Sequence, residues 1–254
     1  MIIDAHVTLG RIDSAESEVD ELLELMDMAG VDMAIVSPDP RELAIAHREG
    51  HRRLTALRHR YPDRLRTYAT ANPWRGRQAV ADISTQLDEG ATAIKLHPQL
   101  QGFQPIDPLV APILELAAGR GVPVYVHSGS PAASTPFQIA VMASRHPETR
   151  IILGRSGKTD FKVDAPAAFR QQPNLFADTA HDFPQTGMAA MLRAAGPGRV
   201  IFSSDYPYGS LSEELRKVKD LETDPETTAR ILGLNVLSIL PPGACTPAIS
   251  VEEA

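Results

Sequence analysis

The sequence predicts a single (β/α)8 barrel, and three observations carry that expectation. Eight short β-rich runs recur at fairly even intervals along the 254 residues. Segments with apolar residues at helical spacing lie between most of them. Several of those segments stop at a glycine that suits a helix C-cap. Strand and helix alternating eight times over about 250 residues is the pattern of a closed parallel barrel.

The elements follow in order. "MIIDAHV" opens the chain as the first strand, and "EVDELLELMDMAG" follows as an amphipathic helix closed by Gly30. "VDMAIVSP" is the second strand. The stretch from Arg41 to Arg60 carries His47, His51 and His59, the first two on one helical face. It looks like a zinc-protease helix only superficially, because Arg48 stands where the general-base Glu would follow the first His. This stretch reads as a solvated amphipathic face. "LRTYATANP", "ATAIKLHP", "PVYVHSG", "RIILGRSG", "NLFADTA" and "RVIFSSDYP" supply strands three to eight. "AVADISTQLDEG", "APILELAAGRG" and "TPFQIAVMASRHPE" are helices among them, with His146 in a surface loop. The barrel is expected to span residues 1–240. From Pro241 the tail "PPGACTPAISVEEA" lacks periodicity and is expected to be irregular and loosely attached. A doubly wound open sheet is the main alternative, but it usually shows a glycine-rich first turn, and "DAHVTLGR" is not one.

Composition narrows the partner. With 43% hydrophobic residues the chain can bury a full core without disulfides or a structural metal. Its formal net charge of −7, with Lys and Arg spread along helical stretches, argues against nucleic acid and toward a small-molecule partner. Cys245 is the only cysteine, which is compatible with a reducing compartment. No run approaches a membrane span, and the start lacks the basic head of a secretory signal. The reading is a soluble, cytoplasmic protein.

"IILGRSGKTDF", from 151 to 161, resembles part of a phosphate-binding loop. The Walker pattern needs a glycine five residues before Gly157, and Ile152 is there. Arg155 therefore needs another explanation. In a barrel, side chains at the C-terminal ends of strands face the mouth where substrates bind. Five strands end on ionisable residues: Asp4 and His6, Lys95 and His97, His127, Arg155, and Asp205. Each has a structural alternative. A strand histidine can be a hydrogen-bonded core residue, Asp205 can cap a turn before Pro207, and Lys95 can bury only its stem. Five such groups at one rim are costly to bury unless they pair or bind something, so a functional cluster is the expectation.

These runs bring a resemblance into view. "IIDAHVTLG", "IKLHPQLQGF", "VPVYVHSG", "ILGRSG", "FSSDYPYG" and "ILGLNVLSIL", in this order, resemble the amidohydrolase-2 branch of the amidohydrolase superfamily over almost the whole chain to Leu240. The resemblance implies a (β/α)8 barrel and metal-dependent hydrolysis of amides or lactones, hydration, or non-oxidative decarboxylation. It also implies, for a few lactonases, chemistry without metal. It further implies that His6, His127 and Asp205 are metal ligands, with Asp205 also the proton acceptor for a nucleophilic water. Two positions depart from the pattern: Thr8 replaces the second first-strand ligand, and Arg155 replaces a sixth-strand histidine.

Those departures weaken a metal site. Three ligands could still hold one Zn or Mn ion with an open position, and His97 is a candidate fourth. A guanidinium, however, has no lone pair to offer and repels a dication. Arg155 is expected to pair with Asp205 or Asp160, or to grip a carboxylate, phosphate or oxyanion, with Lys158 and Asp160 at the loop's rim. Metal-bound and metal-free forms both stay open.

Three functions follow. One is a hydrolase of a small acidic amide or lactone, using Asp205 as base toward a metal-bound water. Another is a metal-independent lyase, decarboxylase, lactonase or hydratase in which Arg155 and Lys95 hold an acidic substrate while His127, His6 or Asp205 moves protons. The last is a non-catalytic, ligand-binding descendant. An enzyme is favoured because the polar mouth has not been emptied, and the hydrolase is the leading expectation by the family resemblance. The catalytic candidates are Asp205, His127, Arg155, His97 and Lys95; Thr8, His181 and Tyr206 join Arg155 and Lys95 as substrate-binding candidates. Trp74, Phe103, Tyr206 and Tyr208 fall in strand-end loops, where each could wall a substrate or simply pack. The family resemblance also implies an occasional homodimer.

Overall fold

A computed structural model describes residues 1–12, 15–129, 133–158 and 163–244. Eight parallel strands follow one another around a barrel: β1 (Ile3–Thr8), β2 (Met33–Ser37), β3 (Leu65–Ala69), β4 (Ala93–Leu96), β5 (Val124–His127), β6 (Ile151–Gly154), β7 (Leu175–Asp178) and β8 (Val200–Ile201). Spatial order equals chain order, with no reversal of direction, which is incompatible with the doubly wound alternative. Main-chain bonds just beyond β8 join the two ends. Ala5 donates to Phe202 at 3.1 Å, Thr8 to Tyr206 at 2.7 Å, and Asp205 back to His6 at 3.1 Å.

The barrel helices are α1 (Val19–Ala29), α2 (His47–Arg60), α3 (Arg77–Asp88), α4 (Ala111–Arg120), α5 (Pro136–Arg145), α6 (Ala165–Gln171), α7 (Ala189–Ala195) and α8 (Leu211–Lys219). Their termini follow local chemistry. Gly30 ends α1 in the left-handed region at φ 73°, which a side chain would resist. Thr135 and Gln138 form a reciprocal capping box at the start of α5, with Pro136 where no donor is needed. Helices α6, α7 and α8 complete the eightfold alternation of strand and helix. Among the described residues no helix is long and apolar enough to cross a membrane.

Two apolar layers result. Leu22 and Met26 of α1, Ile83 of α3 and Ile113 of α4 join Val36, Ile94 and Val126 between strands and helices. Ile3, Ala5, Ile35, Tyr68, Tyr125 and Ile152 fill the barrel, and Val236 and Ile239 of a terminal helical turn join that cluster. Beyond Leu240, a turn at residues 242–244 is held by the Arg66 guanidinium, which donates to the Ala244 carbonyl. Residues 245–254, including Cys245, lie outside the described residues.

One irregularity aims the site. Pairing between β1 and β2 slips by one residue between Asp4 and Val7. Such a bulge breaks strict alternation. Ile3 and Ala5 face the interior and Val7 the outer layer, yet His6 also turns inward, its ring stacked on Tyr125 at 4.4 Å.

The reading of residues 41–60 as a solvated face needs correction. A short helix, Pro40–Ala44, precedes α2, and His47 at the start of α2 is buried. Its Nδ1 lies 3.1 Å from the Glu42 carbonyl and its Nε2 accepts from the Asn72 N–H at 2.7 Å. It fastens two strand-end loops together. His51 does stay near the surface, 2.5 Å from Glu89.

Candidate active site

The C-terminal ends of the strands open into a cavity of about 820 Å3. Its lining includes His6, Thr8, Lys95, His97, His127, Arg155 and Asp205, seven of the nine candidates drawn from the sequence. His181 stands behind Asp205. Tyr206 does not line the cavity: it packs in the outer core, and Tyr208 is the aromatic at the rim. Neither Trp74 nor Phe103 lines it; Trp74 is exposed and Phe103 is buried. Lys158, Ser128, Pro40, Leu43 and Leu100 complete much of the wall.

Asp205 is the hub. Arg155 donates to its Oδ2 from both Nε, at 2.7 Å, and Nη2, at 2.5 Å, and His181 Nε2 lies 2.8 Å from the same oxygen. Nδ1 of His6 is 3.0 Å from Oδ1, but the approach is poorly aligned, so neither atom gains a well-directed hydrogen bond. Nε2 of His6 meets the Lys95 ammonium. Lys95, Arg155 and Asp205 are thus linked through shared partners.

Backbone strain gathers at the same place. Arg155 (φ 58°), Ser156 (φ 45°), His181 (φ 62°) and Asp205 (φ 54°) all occupy the left-handed region, costly for residues with a Cβ. Such conformations persist where surrounding bonds over-determine them. At Arg155 that bond is to Asp178, whose Oδ2 accepts the Arg155 N–H at 3.1 Å. Asp178 is fully buried and also accepts from Tyr125 Oη at 2.6 Å, Ser203 Oγ at 2.7 Å and the Ala180 N–H at 2.8 Å. Sequence reasoning missed it, although its place at the end of strand seven matched that of the other rim residues.

Burial sets the protonation states. It pushes Lys95 down to about 7, with Asp205 opposing and Arg155 assisting. The ammonium lies 4.4 Å from the Tyr125 ring centroid, which supplies a favourable π face. Burial, then the Lys95 charge, take His6 down to about 4. His97 and His127, stacked at 3.9 Å, are held well below the usual histidine range, first by burial and then by neighbouring positive groups. For Asp205, burial favours the neutral acid, but His181, His6 and Arg155 more than offset it and keep the carboxylate ionised. The mouth therefore combines neutral imidazoles, one neutralised carboxylate and several cations.

The amidohydrolase family's sequence profile matches residues 3–240. The chain belongs to the amidohydrolase family. No curated protein matches this amidohydrolase in sequence. Among solved structures it is similar to 5-carboxyvanillate decarboxylase from Sphingomonas paucimobilis (TM-score 0.75, 16% identity, covering 94% of this chain and 98% of that one). It is equally similar to 2,6-dihydroxybenzoate decarboxylase from Rhizobium (TM-score 0.75, 16% identity, 94% and 98% covered). A dihydroxybenzoic acid decarboxylase from Polaromonas sp. JS666, with bound manganese and the inhibitor 2-nitroresorcinol, gives a TM-score of 0.74 at 16% identity, covering 94% and 96%. At such identities the likeness establishes the barrel fold alone.

The manganese in one neighbour makes the donor set of this amidohydrolase worth testing. Oδ2 of Asp205 already receives three donors, His6 is flanked by Lys95, and Thr8 offers only a neutral hydroxyl. Among the described residues no three His, Cys, Asp or Glu side chains are placed to share one ion. A dication about 4 Å from a guanidinium would be repelled by about 8 kcal/mol at an effective dielectric of about 20. The residues present do not fit a divalent metal. Asp160, the other partner expected for Arg155, lies outside the described residues.

Proposed function

We propose that this amidohydrolase is a lyase that removes carbon dioxide from a small, acidic, aromatic or similarly conjugated molecule. The observation that carries this reading is the charge of the cavity. Lys95, Arg155 and Lys158 face it, while Asp205, the only lining carboxylate among the described residues, is already paired. Such a pocket attracts an anion. Pro40, Leu43, Leu100 and Tyr208 offer apolar area for a flat organic body. The neighbours named as decarboxylases of carboxyvanillate and dihydroxybenzoate point to the same class of substrate.

The step needs two things from the protein. As the bond to the carboxyl carbon breaks, its electron pair passes to the substrate carbon, and fixed cations stabilise the charge that develops there. A proton must then replace carbon dioxide on that carbon. Lys95, buried and poised near 7, is the donor, and the resulting amine regains its proton from water.

Hydrolysis, the leading expectation from the sequence, draws less support. It requires a base toward water, and of the Asp205 oxygens Oδ2 is bound by Arg155 and His181 while Oδ1 is buried against His6. A purely ligand-binding role leaves the strain at Arg155, His181 and Asp205 without a purpose.

The test is a panel of hydroxybenzoates, 5-carboxyvanillate, unsaturated dicarboxylates, lactones and amides, with released carbon dioxide and products quantified. Decarboxylation that is lost in Lys95→Gln and Arg155→Met is expected. Cleavage of a lactone or amide with no carbon dioxide released from any acid would replace this reading with hydrolysis.

A further inference from the structure

We infer that Arg155 is a built-in substitute for a metal ion: its guanidinium occupies the cation position on Asp205, and its removal opens that position to a divalent cation. The inference goes beyond the lyase reading and holds whichever reaction the site performs. It rests on how the potential donor atoms are used. The guanidinium closes on Oδ2 of Asp205 with two nitrogens, at 2.7 and 2.5 Å, and His181 adds a third donor at 2.8 Å. No lone pair of that oxygen faces the cavity unclaimed.

The guanidinium is held, not merely parked. Its side chain is 15% exposed, its main-chain N–H is fixed to Asp178 at 3.1 Å, and the Tyr208 ring centroid lies 5.5 Å from its central carbon. Ser156 donates to the Asp178 carbonyl at 2.6 Å and accepts the Asp178 N–H at 3.0 Å, which ties down the following residue. Lys95 adds a second cation on the far side of His6. Together they place two protein charges against the Asp205–His6 pair.

Beside the guanidinium, Oδ1 of Asp205 and Nδ1 of His6 lie 3.0 Å apart, both buried and poorly aligned with each other. Without Arg155, Oδ2 of Asp205 loses two of its three donors and its nearest cation, which leaves room for a hard or borderline cation there.

The experiment is metal retention. Wild-type protein, Arg155→Met and Arg155→Met with Asp205→Asn are incubated with excess manganese, desalted and analysed for metal, with circular dichroism as the check on folding. Arg155→Met is expected to retain at least about tenfold more manganese than wild type, and the added Asp205→Asn to abolish the gain. Stoichiometric manganese on wild type, displaced by chelator and lost in Asp205→Asn, would overturn the inference. So would a folded Arg155→Met that retains no more than wild type. If Arg155→Met does not fold, Arg155→Gln replaces it, and the wild-type measurement alone still refutes the proposal when it shows one tightly held ion. Carbon dioxide release is scored separately, so the lyase reading can fail while this one stands.

Discussion

Tyr125 donates its hydroxyl to Asp178 at 2.6 Å, and the carboxylate oxygen that receives it also accepts the main-chain N–H of Arg155. One buried carboxylate thereby positions two of the cations at the mouth: Arg155 through its backbone, and Lys95 through the aromatic face beneath its ammonium.

Replacing Asp178 by Ala strips acceptors from Tyr125, Ser203, Arg155 and Ala180 at once. We expect a loss of about 3 kcal/mol or more in urea unfolding. Asp178→Asn removes the charge but must turn its NH2 toward the N–H of either Arg155 or Ala180, so it should not rescue fully. A loss below about 1 kcal/mol for Ala would mean this carboxylate holds little together.

The proposed role of Lys95 as proton donor predicts a pH limit on turnover. A donor must be charged, and burial places the Lys95 midpoint at about 7. The turnover rate on the cleaved acid should fall about tenfold per pH unit above that point. A rate that climbs through pH 7 would instead make Lys95 a base.

Asp4 predicts a pH dependence of stability. Burial raises its carboxyl from the ordinary 3.8 to about 7, against opposing bonds from Ser204. The folded state thus holds this proton more tightly than the unfolded chain. The contribution is complete below about 4 and is lost as pH rises through about 7. His6, lowered from 6.5 to about 4, acts in the opposite sense, its contribution present above 6.5 and lost as pH falls through about 4. The diagnostic is therefore the stability of wild type minus that of Asp4→Asn, which should decline by up to about 1.4 kcal/mol per pH unit between these limits. A flat difference would contradict the burial argument.

Gly154 is required for room. A Cβ there would run into the Tyr125 ring, which belongs to the adjacent strand and cannot swing clear without moving off Asp178. Gly154→Ala should cost about 1–3 kcal/mol by denaturant titration. A neutral result would show that Tyr125 has freedom to shift.

His47→Ala separates the buried bridge from a solvated histidine. Loss of the contacts to Glu42 and Asn72 should destabilise by about 1–3 kcal/mol. A surface residue would change stability by no more than about 0.5 kcal/mol.

The order of the strands and the rim residues His6, Lys95, His97, His127, Arg155 and Asp205 were legible because period and position carry them. A parallel barrel places every strand end at one mouth, so polar residues that close apolar runs must converge. Asp178 closes such a run too, but nothing local in "NLFADTA" shows that Tyr125, Arg155 and Ser203 converge on its carboxylate. Tyr206 and Tyr208 stand two residues apart around Pro207, and only the path of the chain there sends Tyr208 to the cavity and Tyr206 into the outer core. His47 carried a helical spacing that described α2 correctly, while its burial depended on loops from other strands.

The amino-acid order by itself determined the eightfold repeat, the family and the set of side chains brought to the mouth, because hydrophobic period and strand termini are local properties. Only the tertiary structure decided who pairs with whom. The bulge that turns His6 inward, the carboxylate of Asp178 beneath two cations and the closure of Arg155 on Asp205 each join residues far apart in the chain. Their energies come from distance, alignment and exclusion of water, which no single segment of sequence contains.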